Sequence, residues 1–288
     1  MFTIEDVAMS NAVFSEIIQG IELNQVVPYL GPDVLFDSKS KLNGLPIPAD
    51  SDSLILAMNG GKPMAPKLMY EFPRAAMNQE LKRGRNFDTQ FLDKTYGEAK
   101  WTRAALHDWI AQCQPHYIID VNRDTQLQES YANQKHTLIV GVARITQSAY
   151  RFKIFQYDGE KYHAIEQTDM DTTLPILFKP MGTPSPESNY IASDADYVDY
   201  ITELMGGFAI PDFLKAYRQD KKYLLLGLPL CRDSERMVMS DIVYSASEPK
   251  GWFFRKNPTD KEKRFSAKMG FELVEASCQE FLEFIQSK

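Results

Sequence analysis

The fold of this chain is decided by the stretch Val26-Val27-Pro28-Tyr29-Leu30-Gly31-Pro32-Asp33. It is a short, partly β-branched run that ends in Gly31, at a point where a helix can begin. Many α/β folds seat a pyrophosphate at such a point, because the helix N-terminus offers free N–H groups and the positive end of its dipole. Pro32 has no N–H to donate, and Asp33 brings a negative charge to a position that suits anions. The stretch therefore predicts a nucleotide-binding fold with a damaged phosphate loop.

Strand and helix signals alternate on both sides of this stretch. Apolar residues at helical spacing predict a first helix capped by Ser10, and a strand follows over residues 25–30. Asp158-Gly159 separates two strand-like runs, 151–157 and 161–167, and is the strongest hairpin signal in the chain. Further strands are predicted at residues 116–121, 137–143, 174–179, 223–228, 252–254 and 271–274, and further helices after Ser193, at 210–218, 234–244 and 260–269, and from Ser277.

This order of elements predicts one α/β domain over residues 1–288. Buried strands that alternate with helices are typical of a mostly parallel, Rossmann-like sheet with helices on both faces, and the hairpin adds an antiparallel element. A loop-rich and helical insertion is predicted at about residues 35–114. Residues 43–73 are rich in Pro, Gly and Met without a clear period, whereas residues 80–114 have a mainly helical pattern.

The composition indicates a globular protein and excludes several classes. Hydrophobic residues make up 44% and charged residues 25% of the 288 residues, close to the average of globular domains. The net charge of −7 argues against a general nucleic-acid binder. The first residues lack the basic and apolar regions of a signal peptide, and no apolar run approaches the roughly 18 residues of a membrane span. We therefore expect a cytoplasmic protein that binds neither membranes nor nucleic acids.

The spacing of cysteines and histidines predicts no metal site. The three cysteines, Cys113, Cys231 and Cys278, are far apart in the sequence and odd in number, so they form no disulfide framework. The chain has neither a CxxC motif nor a pair of histidines at the spacing of metal ligands. We expect Cys113 to lie in a helix core and Cys231 to lie near the cleft, and the sequence pairs neither with a base.

Short segments along most of the chain carry a family resemblance. In order, they are residues 26–31 (VVPYLG), 118–124 (IIDVNRD), 176–182 (ILFKPMG), 193–197 (SDADY) and 225–233 (LLGLPLCRD). Each is short, but their order and spacing resemble the SIR2-like family, the sirtuin-fold proteins that bind NAD and often hydrolyse it. The resemblance implies a Rossmann-like fold with a nucleotide cleft.

The resemblance also implies which residues belong to that vestigial cleft. Gly31 matches the first glycine of the family, and Gly227 the glycine of its late Gly-x-Ser segment. Asn122 and Asp124 match the polar pair that orients the nicotinamide ribose and supports the loop. The residues alone leave other roles open: Asn122 and Asp124 follow a strand and can form a turn or a cap, and Gly227 can simply permit a tight exit from its strand.

The chain departs from the family's pattern where the chemistry takes place. Met181 stands where the family has its general-base histidine, and a thioether does not accept a proton near neutral pH. Lys179 is expected to be cationic and His163 lies in the predicted hairpin, so neither replaces that base. Asp33 repels a phosphate, or caps the following helix in its place. Pro229 stands where the family has its ribose-binding serine.

These departures predict a non-catalytic SIR2-like accessory protein that binds a partner protein and no cofactor. The alternative is a SIR2-like enzyme, an NAD glycohydrolase or a deacylase, that binds NAD or ADP-ribose. SIR2-like proteins of this length resemble accessory proteins encoded among nitrogen-fixation genes. That resemblance implies the molybdenum–iron protein of nitrogenase, in a cofactor-deficient or immature state, as the partner. Lys82-Arg83-Gly84-Arg85 and residues 252–256 are candidate docking clusters, with ordinary solvated surface as the alternative.

Overall fold

The structure is a computed structural model that describes residues 4–288, with side chains from residue 11 onward. The strands are β1 (Val26–Leu30), β2 (Tyr117–Asp120), β3 (His136–Gly141), β4 (Phe152–Tyr157), β5 (Tyr162–Ile165), β6 (Ile176–Lys179), β7 (Gly182–Thr183), β8 (Asn189–Tyr190), β9 (Lys222–Leu226), β10 (Gly251–Phe254) and β11 (Phe271–Val274). The α-helices are α1 (Ile4–Glu22), α2 (Ser51–Met58), α3 (Phe72–Arg83), α4 (Asn86–Leu92), α5 (Ala105–Cys113), α6 (Gln126–Ser130), α7 (Asp194–Met205), α8 (Asp212–Tyr217), α9 (Asp233–Ile242), α10 (Asp260–Met269) and α11 (Cys278–Gln286). Over these residues, every helix is too short or too polar to cross a lipid bilayer.

Nine strands form one sheet in the order β11-β10-β9-β1-β2-β6-β3-β4-β5. Neighbouring strands from β11 to β3 run parallel. The pairs β3-β4 and β4-β5 are antiparallel, and β7 and β8 form a separate antiparallel pair. The predicted Rossmann-like, mostly parallel sheet is confirmed, as is the antiparallel element at the Asp158-Gly159 hairpin.

Helices cover the sheet on both faces. In β9, Leu224 and Leu226 belong to the hydrophobic cluster that includes Phe281 of α11, whereas Leu225 belongs to the cluster that includes Met239 of α9. Successive side chains of a strand point to opposite faces of the sheet. A continuous apolar run is therefore what a parallel strand with helices on both sides requires.

Most predicted elements lie where the pattern placed them, and two details of the prediction are wrong. The first helix begins at Ile4, so Ser10 lies inside it and cannot cap it. The helix begins before the residues whose apolar spacing predicted it. The sequence also favours a half-buried strand at Trp252 to Phe254, but these residues are buried, because β10 lies between β9 and β11. The region of the predicted insertion, residues 35–114, contains α2 to α5 and a π-helical segment, Asp93–Glu98.

The strand order determines where the candidate cleft lies. β1 has β2 on one side and β9 on the other, so the strand order reverses at β1. In open α/β sheets a crevice forms at such a switch point, beyond the carboxyl ends of the strands. The loops that follow β1, β2, β6 and β9 meet at this edge, and they carry Gly31, Asn122, Met181 and Gly227.

The substitution Gly251→Ala tests how closely β10 approaches β9. Gly251 has φ +122°, and a Cβ atom there would lie 2.0 Å from the carbonyl oxygen of Tyr223. We expect a loss of about 3 kcal/mol or more in unfolding free energy, measured by urea denaturation, because backbone strain and overpacking add. Gly60 is the matched control, with φ +65° and open space around it; Gly60→Ala should cost only about 1 kcal/mol. Equal losses in the two variants would contradict the close approach.

Candidate functional site

The cleft at the switch point is divided into two cavities. The inner cavity has a volume of about 60 Å³, and its wall includes Asn122 and Met181. The outer cavity has a volume of about 440 Å³, and its wall includes Gly227 and Arg255. Pro32 lines both. The inner volume is well below the roughly 150 Å³ that accommodates one benzene ring, so this conformation has no room there for a nicotinamide.

The backbone donors of the loop after β1 are already used. The N–H of Gly31 donates to the carbonyl oxygen of Leu226 at 2.9 Å, and that of Asp33 donates to the carbonyl oxygen of Gly227 at 3.0 Å. The N–H of Val34 donates to the carbonyl oxygen of Gly31 at 3.3 Å. Pro32 has no N–H. A pyrophosphate at this loop would therefore have to displace protein–protein hydrogen bonds.

The two glycines of the cleft allow the loops after β1 and β9 to touch each other. A Cβ atom on Gly31 would lie 2.5 Å from the carbonyl oxygen of Gly227. A Cβ atom on Gly227, which has φ +68°, would lie 2.8 Å from the backbone nitrogen of Val34. Close packing of backbone on backbone requires glycine at both positions. This contact occupies the space in which a phosphate would approach.

Asp33 does not cap the short 3-10 helix Pro32–Leu35, contrary to the expectation from sequence. Gly31 occupies the N-cap position of that helix, which has no side-chain cap. The carboxylate of Asp33 instead accepts a hydrogen bond from Nη1 of Arg255 at 2.8 Å. Asp33 forms this ion pair instead of a helix cap because Arg255 extends from the end of β10 into the same outer cavity. A cation that could bind an anionic ligand is thereby neutralised from within the chain.

Asp120 is the centre of a buried polar network. One oxygen, Oδ2, accepts a hydrogen bond from Nζ of Lys179 at 2.8 Å and lies 3.4 Å from Nε2 of His107. The other, Oδ1, accepts from the backbone N–H and the side-chain amide of Asn122, at 3.0 and 2.9 Å. The amide of Asn122 also donates to the carbonyl oxygen of Gly31 at 3.0 Å. The network thus ties the loop after β1 to the ends of β2 and β6.

The ionisation of Asp120 depends on its neighbours Lys179 and His107. Asp120, Lys179 and His107 are all fully buried. Burial alone raises the pKa of Asp120, but the Lys179 ammonium and the hydrogen bond and charge of His107 outweigh it and hold this pKa below its usual range. Lys179 is therefore a structural partner of Asp120, and it lies outside the wall of the inner cavity.

Asp124 lies in the same loop as Asn122 and is also buried. Its Oδ1 accepts a hydrogen bond from the backbone N–H of Gln126 at 2.7 Å, whereas Oδ2 has no partner among the described residues. Burial raises the pKa of Asp124, although the nearby Lys179 opposes this. Both members of the Asn122–Asp124 pair thus form turn-type hydrogen bonds within the loop after β2.

Met181 lies in the wall of the inner cavity, whereas His163 and Pro229 lie away from it. The side chain of Met181 is buried and forms part of the inner wall. His163 is exposed on the hairpin, where it bonds to the Asp158 carboxylate at 2.6 Å. Pro229 follows β9 and is half-buried. Neither His163 nor Pro229 belongs to the described wall of the inner cavity.

Glu235 is the residue of this site that sequence reasoning missed. It lies in the first turn of α9 and lines the inner cavity, and its Oε2 has no partner in the described part of the chain. Burial raises the pKa of Glu235 to about 8, against the opposing charge of Arg232. A glutamate in the first turn of a helix is an ordinary helix-start signal, so the pattern does not reveal this environment. Glu235 can hold a proton at neutral pH.

The predicted docking cluster at residues 252–256 is wrong. Its aromatic residues are at most 4% exposed, because they form the buried strand β10. Arg255 and Lys256 pair with Asp33 and Glu280. The other cluster, Lys82-Arg83-Gly84-Arg85, lies at the end of α3 and is exposed.

The described side chains from residue 11 onward offer no group of three His, Cys, Asp or Glu residues that could hold a metal ion. Cys113, Cys231 and Cys278 are free thiols. Burial raises the pKa of Cys113 to about 11, and it also raises the pKa values of Cys231 and Cys278. These thiols are therefore poor nucleophiles near neutral pH.

Comparisons of the chain with protein-family models and with curated proteins found no match. The SIR2-like assignment accordingly rests on the segment resemblance alone.

The substitution Lys179→Met tests the buried ion pair. It leaves the Asp120 carboxylate buried without its cation, so we expect a loss of about 3–5 kcal/mol in unfolding free energy at pH 7. The loss should shrink as the pH falls towards 3. Because the pKa of folded Asp120 is lowered, its stabilisation of the native chain is complete only above the unfolded pKa of roughly 4, and it is lost progressively as the pH falls from there towards the folded pKa.

Two further variants make this test specific. Asp120→Asn combined with Lys179→Met should lose less than Lys179→Met alone, because no buried charge remains unpaired. Lys215 forms an exposed pair with Asp212, so Lys215→Met should cost less than about 1 kcal/mol. A double variant at least as unstable as Lys179→Met alone would exclude the coupling.

Proposed function

We propose that this chain is a non-catalytic SIR2-like accessory protein that binds a partner protein. The main support for this proposal is the loop after β1, whose backbone donors are already bonded within the chain. Its N–H groups at Gly31, Asp33 and Val34 are bonded to the chain itself, and Pro32 offers none. Since a pyrophosphate is held mainly by such donors, a nucleotide has no prepared binding site at this loop.

The inner cavity supports the same proposal. Met181 occupies the position of the family's catalytic base and offers no proton acceptor near neutral pH. The remaining space, about 60 Å³, is too small for the nicotinamide that the family releases from NAD. In this proposal the scaffold is retained for its outer surface.

The proposed partner is the molybdenum–iron protein of nitrogenase in a cofactor-deficient or immature state. This step rests on the resemblance of the chain to SIR2-like accessory proteins encoded among nitrogen-fixation genes, in particular the nitrogenase-associated factor T. For the contact surface we propose the end of α3, where Leu81 is 75% exposed beside the exposed side chains of Lys82 and Arg83. An apolar anchor next to cations suits an acidic partner surface.

A SIR2-like enzyme that cleaves NAD is the second candidate, and one observation favours it. Glu235 borders the inner cavity, and burial raises its pKa to about 8. A carboxyl group with such a pKa is suited to proton transfer near neutral pH. This function would require the loops at Gly31 and Gly227 to separate before NAD enters.

Calorimetric titration with NAD and with ADP-ribose separates the two candidates. For the native chain we expect no saturable binding up to about 1 mM ligand and no release of nicotinamide. Asp33→Ser should also fail to bind, because it removes the carboxylate but leaves the loop N–H groups bonded. Release of nicotinamide by the native chain, abolished in Glu235→Gln, would overturn the non-catalytic proposal in favour of the enzyme.

Binding to purified molybdenum–iron protein tests the partner. We expect immobilised protein that lacks its cofactor to capture this chain, and cofactor-loaded protein to capture much less. The double variant Lys82→Glu/Arg83→Glu should weaken capture about tenfold or more, because it reverses two charges at the contact. Arg264→Glu/Lys268→Glu on α10 is the charge-matched control, and it should bind like the native chain. Absence of capture in both cofactor states would refute the partner.

A further inference from the structure

A separate cavity of about 270 Å³ lies outside the cleft. Its wall combines residues of α3, α4, α7 and the loop after β3, including Glu80, Asp88, Arg144 and Asp196. The function proposed above uses none of these residues. The chemistry of this cavity can therefore be considered on its own.

Arg144 forms the hydrogen-bonded centre of the cavity wall. Its Nη1 and Nη2 each donate to the Glu80 carboxylate at 2.8 Å, and its Nε donates to Asp196 at 2.7 Å. Its backbone N–H donates to Asp199 at 2.7 Å, and its φ is +53°. A non-glycine residue keeps such a conformation only where the surroundings impose it. The hydrogen bonds of Arg144 are thus committed to Glu80, Asp196 and Asp199.

Asp88 forms part of the same wall and has no partner. The residue is only 4% exposed, and neither of its carboxyl oxygens has a hydrogen-bond partner in the described part of the chain. Buried carboxylates are ordinarily hydrogen-bonded or paired. Counting charges, the wall holds three carboxylates (Glu80, Asp88, Asp196) and two guanidinium groups (Arg85, Arg144). With Asp88 ionised, the wall carries one net negative charge.

We propose that this cavity binds a guanidinium group, which donates two hydrogen bonds to the carboxylate of Asp88. Two free oxygens on one carboxylate match the two parallel N–H donors of a guanidinium. The positive charge of the ligand would also balance the net negative charge of the wall. Arg85, which is already counted among the two guanidinium groups, does not pair with Asp88. Its Nη2 donates to the carbonyl oxygen of Ala143 at 3.0 Å, and its side chain is half-exposed. Binding requires Asp88 to turn toward the cavity, because neighbouring atoms cover its oxygens.

The site should be sensitive to pH. Burial, together with the charges of Glu80 and Asp196 and against that of Arg144, raises the pKa of Asp88 to about 7. The other charged or titratable groups around the cavity are Arg85 and Tyr190, whose hydroxyl donates to Asp93. A proton on Asp88 competes with the ligand. Affinity should therefore be about tenfold lower at pH 6 than at pH 8.

Calorimetry on the full chain at pH 8 tests the site with three probes: the peptide acetyl-Gly-Arg-Gly-amide, its citrulline counterpart, and agmatine. We expect saturable binding of the arginine peptide or agmatine, and none of the neutral citrulline peptide. Tighter binding of agmatine would identify a free small molecule as the source of the guanidinium. Tighter binding of the arginine peptide would identify a protein side chain.

Two variants complete the experiment. Asp88→Asn keeps the shape of the side chain but removes its charge, so affinity should fall about tenfold to a hundredfold. Glu272→Gln removes an exposed carboxylate on β11, at the opposite edge of the sheet, and should leave affinity unchanged. If Asp88→Asn does not fold, the comparison of the native chain at pH 6 and pH 8 decides. No saturation by either guanidinium probe up to about 10 mM, or equal affinity at both pH values, would overturn the proposal.

Discussion

The buried ion pair between Asp120 and Lys179 is the interaction on which the cleft depends. Withdrawing two charges from water costs several kcal/mol for each ion. The pair is tolerated because Asp120 also accepts two hydrogen bonds from Asn122. Asn122 in turn holds the carbonyl of Gly31. The buried network of Asp120, Lys179 and Asn122 therefore helps to fix the position of the loop after β1.

Three other carboxyl groups, each with at least one buried oxygen, show the opposite situation. Glu235 and Asp88 lie in the walls of cavities, and Asp124 lies below the cleft; each has at least one buried oxygen without a donor. Burial raises the pKa of all three, whereas Lys179 and His107 lower that of Asp120. The contrast separates carboxylates that hold the fold together from carboxyl groups that remain available to a proton or a ligand.

The elements that depend on local sequence were predictable, and the contacts between distant segments were not. The apolar run of β9, the Asp158-Gly159 hairpin and the capping box of Ser193 each act within a few residues. The pairing of Asp33 with Arg255 joins residues 222 positions apart, so Asp33 looked like a helix cap. The burial of Lys179 and of Glu235 depends in the same way on packing. The interpretation of Met181 as the replacement of a catalytic base depends on the family resemblance alone.

The contact between Gly31 and Gly227 has a consequence for how related sequences are interpreted. In a nucleotide-binding loop, glycine lets the backbone approach a phosphate. Here the same two residues let one loop rest on the other. Selection against a side chain at these positions would continue after any ligand is lost, because either substitution would force the loops apart. A glycine at either position is thus uninformative about nucleotide binding, because the contact between the two loops requires it in any case.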